Sequence, residues 1–354
     1  MLAFWTDSDF DAHEQVNLVH DRASGLTAII ALHSTHLGPG AGGTRFWHYA
    51  DPAGAMRDAL RLSRGMSYKN AMAGLPMGGG KAVVLLDAQR TKTPAMLAAF
   101  GDAVKDMGGR YVTAEDVGAS VADMVAISAR TSHVCGLPAG EGAIGGDPGP
   151  FTARGIYLGI KAAAVHALGA GDLRGVRVAV QGCGSVGGGV ARLLAADGAE
   201  LVLADIDGAR AQALATELGA RSVPADAILA TQCDVFSPNA LGAILSEATI
   251  SQLACRIVAG GANNQLARAG DGARLAERGI LYAPDYVINA GGIINVSLEY
   301  LASQHGASVN MADVQGRIDQ IPVRLQTIWQ QSDMTGTSAD AVADRMAQEL
   351  IGRA

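Results

Sequence analysis

Two lysines, Lys69 and Lys81, bracket a segment made almost entirely of small or apolar residues, Asn70-Ala71-Met72-Ala73-Gly74-Leu75-Pro76-Met77-Gly78-Gly79-Gly80. An ammonium ion among such neighbours loses hydration, and its pKa falls toward the range where it can exchange protons near neutrality. One lysine of such a pair can fix a carboxylate while the other acts as acid or base. Arg110-Tyr111-Val112-Thr113 reads as a strand ending in Ala114-Glu115-Asp116, and α/β folds present functional groups at strand ends, so Asp116 is the best-placed carboxylate for proton exchange. Each residue also has a purely structural alternative. Lys69 can be a solvated lysine after a helix, Lys81 can start an edge strand with its amine turned outward, and Asp116 can cap a helix over 120–129.

A second chemistry sits downstream. Gly182-Cys183-Gly184-Ser185-Val186-Gly187 follows an apolar strand, Arg177–Gln181, and opens a helix continuing over 188–196. Gly182 permits a tight turn, Gly184 lets the backbone approach a pyrophosphate resting on the helix N-terminus, and Gly187 lets helix pack closely on strand, with Ser185 and Val186 in the same turn. Asp205 ends the next strand, 23 positions after Gly182. It can accept bonds from ribose hydroxyls and would repel a 2′-phosphate, so NAD is expected rather than NADP. Asp207 is a rival acid that reads as the start of the next turn, and a βαβ turn without ligand is the structural alternative.

The elements that must position these groups alternate. Residues 26–32 read as a strand, Gly38–Arg45 as a glycine-dense loop, 53–66 as an amphipathic helix, Ala82–Leu86 as a short buried strand, 94–107 as a helix and 110–113 as a strand. A Gly- and Pro-rich linker is expected over Gly136–Pro150. Beyond it come a helix over 152–168, the strand–turn–helix just described, a helix over 209–218, short βα units through Val235-Phe236 and Ile257-Val258-Ala259, and helices over 313–354. This alternation predicts an α/β protein, and 354 residues predict two domains. The first is expected over 1–136, completed by a C-terminal helix over 329–354, and the second over 145–326 as a Rossmann domain, with a cleft between them.

Composition narrows the function. A formal charge of −7 argues against general affinity for nucleic acid or an anionic membrane, and 46 glycines without a Gly-X-Y period exclude collagen. Cys135, Cys183, Cys233 and Cys255 form no CxxC pair, which fits a reduced, cytoplasmic setting. The eight histidines show no ligand spacing, so no metal is expected. The opening residues lack a signal-peptide pattern, and no run is long enough to span a bilayer.

Several segments carry a resemblance. They are Leu37–Arg45, Leu62–Ala71, Gly78–Lys81, Thr113–Gly118, Gly261–Leu266 (Gly-Ala-Asn-Asn-Gln-Leu) and Pro284–Gly292. In their order and over most of the chain they resemble the Glu/Leu/Phe/Val amino-acid dehydrogenase family, closest to its leucine and valine dehydrogenase branch. The resemblance implies an N-terminal substrate-binding and oligomerisation domain and reversible oxidative deamination: L-amino acid, NAD and water give 2-oxo acid, ammonia and NADH. It implies that Lys69 holds the substrate carboxylate with backbone N–H groups of Gly42 and Gly43. Lys81 would be the catalytic lysine that activates water, and Asp116 would exchange protons with the amine. Asn263 would contact both nicotinamide ribose and substrate amine, while Thr152 and Ala240 would contact the cofactor. A homo-oligomer is implied as well.

The resemblance places Ala41, Ala114, Ile293 and Val296 around the substrate side chain. All are apolar, whereas a glutamate enzyme would need a cation there. The leucine enzymes tend to carry leucine where this chain has Ala41 and valine where it has Ile293. Branched-chain aliphatic substrates are therefore expected, with phenylalanine as the rival. For Val296, on an apparent helix, ordinary core packing is the alternative. Two other functions compete. A non-catalytic sensor of dinucleotide or amino acid need not keep Lys69, Lys81 and Asp116 together, and all three are present. A 2-hydroxy-acid dehydrogenase would want a histidine base near an arginine clamp. Arg45 and His48 are close in sequence, but the Gly42-Gly43 pair in the same loop better explains carboxylate binding.

Overall fold

A computed structural model describes residues 4–89, 91–138 and 147–353, so most of the expected linker lies outside the described residues. The chain divides into two compact units. One comprises Met1–Asp147, Asn295–Met311 and Ala347–Ala354, and the other Pro148–Ile294 and Ala312–Met346.

In the first unit, β1 (Gln15–Asp21), β2 (Leu26–Ser34), β3 (Gly40–Trp47), β4 (Gly78–Leu85) and β5 (Tyr111–Glu115) form a five-stranded sheet in the order β1-β2-β4-β3-β5. The β1–β2 and β2–β4 pairs are antiparallel, and β3 runs parallel to β4 and β5. Helix α1 (Pro52–Met72) starts from the Asp51 cap with proline in its first turn, where the missing N–H costs nothing. Its Ala55 and Ala59 pack on Ile29, Ala31 and Val83. The larger core gathers Leu26, Ile30, Phe46, Val84 and Tyr111 with Phe100 of α2 (Pro94–Asp106) and Met124 and Ile127 of α3 (Val121–Ser128). Alternating positions of one sheet thus serve two cores.

The glycine-dense segment expected to be a loop is, from Gly40 onward, strand β3. Its glycines answer to crowding by neighbouring backbone. A Cβ on Gly42 would lie 1.9 Å from the carbonyl oxygen of Gly80, and one on Gly43 would lie 2.3 Å from that of Glu115. Likewise β4 begins at Gly78 rather than Ala82, and a Cβ on Gly79 would lie 2.1 Å from the Ser67 amide of α1. Helix α1 runs past residue 66 to Met72, so Lys69 sits in its last turn rather than after it.

In the second unit, β6 (Arg177–Gln181), β7 (Glu200–Ala204), β8 (Arg221–Ser222), β9 (Val235–Pro238), β10 (Ile257–Val258) and β11 (Leu281–Tyr282) form a six-stranded sheet in the order β11-β10-β9-β6-β7-β8. Every pairing is parallel. This is the doubly wound order of dinucleotide-binding folds, with its switch point between β6 and β9. Helices α4 (Gly149–Leu168), α5 (Ser185–Ala196), α6 (Gly208–Leu218), α7 (Glu247–Ile250), α8 (Asp271–Glu277) and α9 (Asp285–Ile288) connect or cover the strands. They are followed by α10 (Gly291–Gln304), α11 (Met311–Ile318), α12 (Gln320–Thr335) and α13 (Ala339–Leu350).

The C-terminal helices depart from expectation. The sequence predicts 329–354 on the first domain, yet α12 and α13 as far as Met346 belong to the second unit. The fully buried Trp329 anchors α12 there, its indole N–H donating to the carbonyl of Tyr282 at 2.9 Å. Only the last residues, from Ala347, join the first unit. There Arg353 donates to the backbone carbonyls of Asp11, Ala12 and His33, and Gln348 donates to the Tyr68 hydroxyl. Residues 295–311, expected in the second domain, also belong to the first unit, so α10 straddles the division. No described helix is long and apolar enough to cross a membrane.

Candidate active site

Lys81 lies on β4, which β2 and β3 flank on either side, so the edge-strand alternative does not apply. By strand alternation it shares a face with Val83, the face that α1 covers. It is 5% exposed, and its ammonium donates to Asp116 Oδ2 at 2.6 Å. Asp116 follows β5, and Ser120 rather than Asp116 caps α3. The same Oδ2 also accepts from Arg45 Nε at 3.3 Å. Arg45 is held from behind by Asp58 of α1, NH1 to Oδ2 at 2.7 Å. Asp58 in turn accepts from the Tyr49 hydroxyl at 2.8 Å and from Arg61 at 3.0 Å.

Burial lowers the pKa of Lys81 below the usual lysine value, and the neighbouring Asp116 only partly opposes it. For Asp116 burial pushes upward, but Lys81 and Arg45 outweigh it and hold the carboxyl below its ordinary value. The pair is therefore a buried proton donor–acceptor couple whose lysine is easier to deprotonate than one in water.

The sequence alone does not single out Arg45 and Asp58 as part of this cluster. Arg45 read as a loop residue beside His48, whereas it lies on β3 with both flanking carboxylates engaged, and His48 Nδ1 bonds the Leu86 carbonyl at 3.1 Å. The available signal was its place next to Phe46 in a segment that alternates between two cores.

Lys69, half-buried, leaves α1 at the turn that Asn70 fastens to the sheet. The buried Asn70 amide donates to the carbonyls of Gly78 at 2.6 Å and Ala41 at 3.4 Å. Ala41 is buried and Ala114 on β5 is half-buried. The β3–β4 ladder pairs Ala41 with Gly79 and resumes with Thr44 and Ala82, passing over Gly42 and Gly43, which pair with Thr113 and Ala114 on the other side.

In the second unit the glycine turn has the shape a dinucleotide requires. Gly182 takes φ +89°, and a Cβ on Gly187 would lie 1.9 Å from the Gly182 carbonyl oxygen. A Cβ on Gly184 would meet nothing within 4 Å, so that side of the loop is open to a ligand. Gly184 is also the N-cap of α5 and offers no side chain to its first amides; Ser185 is exposed and Val186 half-buried in that turn. Asp205 accepts from the Cys183 amide at 2.7 Å and the Asp207 amide at 2.9 Å, with Arg210 at 3.4 Å. Burial would raise its pKa, but these donors hold it below the ordinary carboxylate value. Asp207 caps α6.

Beside the turn, Ala240 backs on Gly182. Asn263 Oδ1 accepts from Asn289 Nδ2 at 2.8 Å, Asn289 also donates to the Gly261 carbonyl at 3.1 Å, and the Gly261 amide donates to Asn239 Oδ1 at 2.9 Å. Asn239 and Asn289 were not singled out in the sequence, though Asn289 lies within one of the family-like segments. Thr152 sits in the first turn of α4, its hydroxyl donating to the Pro148 carbonyl at 3.1 Å, and Gly292 packs against it. Ile293 belongs to the second unit and the buried Val296 to the first.

Known proteins share this organisation. Residues 11–133 match the family described as Glu/Leu/Phe/Val dehydrogenase, dimerisation domain, and residues 204–351 match Glutamate/Leucine/Phenylalanine/Valine dehydrogenase. The leucine dehydrogenase of Bacillus subtilis (strain 168) is 45% identical over 341 residues, 96% of this chain and 92% of that protein. The valine dehydrogenase of Streptomyces albus is 43% identical over 350 residues, 98% of this chain and 94% of its own. The crystal structure of L-tryptophan dehydrogenase from Nostoc punctiforme superposes with a TM-score of 0.84 at 39% identity, covering 96% of each chain. With matches of this depth along both units, the chain belongs to the Glu/Leu/Phe/Val dehydrogenase family of amino-acid oxidoreductases.

Proposed function

We propose that this chain catalyses the reversible, NAD-dependent oxidative deamination of a branched-chain aliphatic L-amino acid to its 2-oxo acid and ammonia. The observation that carries the reading is the buried Lys81–Asp116 pair, 2.6 Å apart on the first unit's sheet. Asp116, held ionised, accepts a proton from the substrate ammonium and returns one to the departing ammonia. Lys81, its pKa lowered by burial, takes a proton from the water that attacks the imine carbon and stabilises the charge that develops there. Lys69 and the amides of Gly42 and Gly43, where the β3–β4 ladder lapses, hold the substrate carboxylate. Arg45, fixed by Asp58, keeps Asp116 ionised and turned toward Lys81.

The glycine turn supports the cofactor assignment, with the pyrophosphate on the α5 amides and the adenosine ribose on Asp205. The carboxylate charge of Asp205 favours NAD over its 2′-phosphorylated form. A nicotinamide held there would supply the acceptor for the hydride of the substrate Cα. Thr152, Ala240 and Asn263 complete the cofactor contacts.

Ala41, Ala114 and Val296 of the first unit and Ile293 of the second are all apolar, and none of them could pair with a distal carboxylate. Relatives named leucine and valine dehydrogenases favour the same substrates. The test is an NADH-absorbance assay across leucine, valine, phenylalanine, tryptophan and glutamate with both dinucleotides. Leucine and valine with NAD should give the highest kcat/KM. A preference for phenylalanine or tryptophan would move the assignment to aromatic substrates, and ligand binding without turnover would make the chain a sensor. We also propose self-association through the first unit, which contains the match to the dimerisation domain. Light scattering should then give a mass above the 36.1 kDa of one chain.

A further inference from the structure

Two of the four cysteines come together in the second unit, just before β9 and β10. Val235 of β9 pairs with Ile257 of β10, and stepping back equally along both parallel strands sets Cys233 beside Cys255. The backbone keeps the strands side by side there: the Cys233 amide donates to the Ala254 carbonyl at 3.3 Å, and the Arg256 amide to the Asp234 carbonyl at 3.1 Å. Residues at matching positions of adjacent strands point to the same face, with backbones about 4.8 Å apart, inside the ~4.4–6.8 Å Cα separation that disulfides span. The two thiols are free, and each is the neighbour that acts most on the other's ionisation. Cys233 is buried, whereas Cys255 is half-buried, so one member is within reach of a small reagent.

The pair is also chemically unequal. The neighbouring Cys233, nearby backbone amides and Arg278 together lower the pKa of Cys255 against the opposing effect of burial. Cys233 is pushed the other way by the neighbouring Cys255 and by burial. This is the arrangement of an attacking thiolate beside a resolving thiol. The other two cysteines lack it. Cys135 is buried in the first unit, and Cys183, in the glycine turn, faces the carboxylate of Asp205.

We propose that Cys233 and Cys255 form a reversible redox pair that closes to an intrachain disulfide in the presence of a low-molecular-weight disulfide. The Cys255 thiolate attacks one sulfur of the small disulfide, its S–S bond breaks, and one thiolate leaves. The Cys233 thiol then loses its proton to solvent and attacks the Cys255 sulfur, expelling the second thiolate. Two protein thiols are oxidised to one disulfide, and the small disulfide is reduced to two thiols. The bond clamps β9 to β10 where both strands begin and closes the intervening segment that carries α7 into a loop. Asn239 follows the other end of β9, and the glycine turn follows the same end of the parallel neighbour β6, so turnover is preserved while resistance to unfolding rises.

The experiment treats the full-length protein with oxidised glutathione, then counts thiols in denaturant and maps non-reduced peptides by mass spectrometry. The four thiols should fall to two, with peptides containing Cys233 and Cys255 joined and the thermal midpoint raised. Dithiothreitol should restore both. Cys233→Ala and Cys255→Ala should each abolish the linked peptide and the rise in midpoint. Four thiols persisting in the wild-type protein would overturn the proposal whatever the variants do. So would a bond that joins Cys135 or Cys183, or two chains.

Discussion

Burial and their mutual attraction act most on the candidate acid–base pair, and the cation of Arg45 then lowers the pKa of Asp116 and of Lys81 alike. Removing it as Arg45→Gln should move both limbs of the kcat/KM pH profile to higher pH, since the carboxyl and the ammonium each lose a nearby positive charge. Arg45→Lys should restore much of the original profile. Limbs that stay in place would show that another couple titrates in turnover. Lys81→Ala should lower kcat by about 10²–10⁴-fold, the usual contribution of a positioned acid or base. Dinucleotide affinity, followed by fluorescence titration, should barely change; a parallel loss of affinity would place Lys81 among the cofactor's contacts. Lys81 and Asp116 stand out in the sequence because a lysine among glycines and an acid at a strand end are unusual. Their ion pair, and Arg45 and Asp58 behind it, do not stand out, because those contacts join residues far apart in the chain that only the sheet brings side by side.

The same separation governs what can be read of the elements. Strands such as β2 and β6 and helices such as α2 announce themselves by periodicity, and the alternation is enough for an α/β fold. Segment Gly40–Arg45 is the instructive failure, because glycine runs ordinarily mark turns. Here they mark backbone packed so closely on backbone that no side chain fits, and nothing local distinguishes the two cases. Gly79 tests the point. A Cβ there would lie 2.1 Å from the Ser67 amide and 2.4 Å from the Ser63 carbonyl of α1. Gly79→Ala should therefore push α1 off β4 and cost about 1–3 kcal/mol or more, seen as a lower urea midpoint. It should also lower activity, because Lys69 leaves the displaced helix. An unchanged midpoint would mean that α1 is free to shift. The path of the C-terminal helices was equally illegible, since their amphipathic pattern states that a face is buried but not against which partner.

At the scale of the whole molecule, stability carries a pH signature from an unusually well-connected histidine. His33 is fully buried, its Nδ1 at 2.8 Å from the Ser67 hydroxyl and its Nε2 receiving Arg353 at 2.7 Å, with Asp11 at 3.1 Å and His13 against its ring. Burial, together with the Arg353 cation, lowers its pKa to about 4 from 6.5, and burial lowers that of His13 as well. Both are held neutral in the folded chain, so below pH 6.5 the unfolded chain binds more protons and stability declines as pH falls toward 4. Between pH 7 and pH 5 His33 alone should cost about 2 kcal/mol, measured by urea denaturation, and His33→Gln should flatten the slope. A slope unchanged in that variant would assign the loss to other groups.

The grip of Arg353 on Asp11, Ala12 and His33 also sets an order of events during synthesis. Domains near the start of a protein usually mature while the remainder is still being translated. This one cannot. Three carbonyls beside its first strands wait for an arginine that leaves the ribosome only after the entire nucleotide-binding half. Nascent chains released before Arg353 should therefore present an early domain that proteases still cut, next to a later one already resistant.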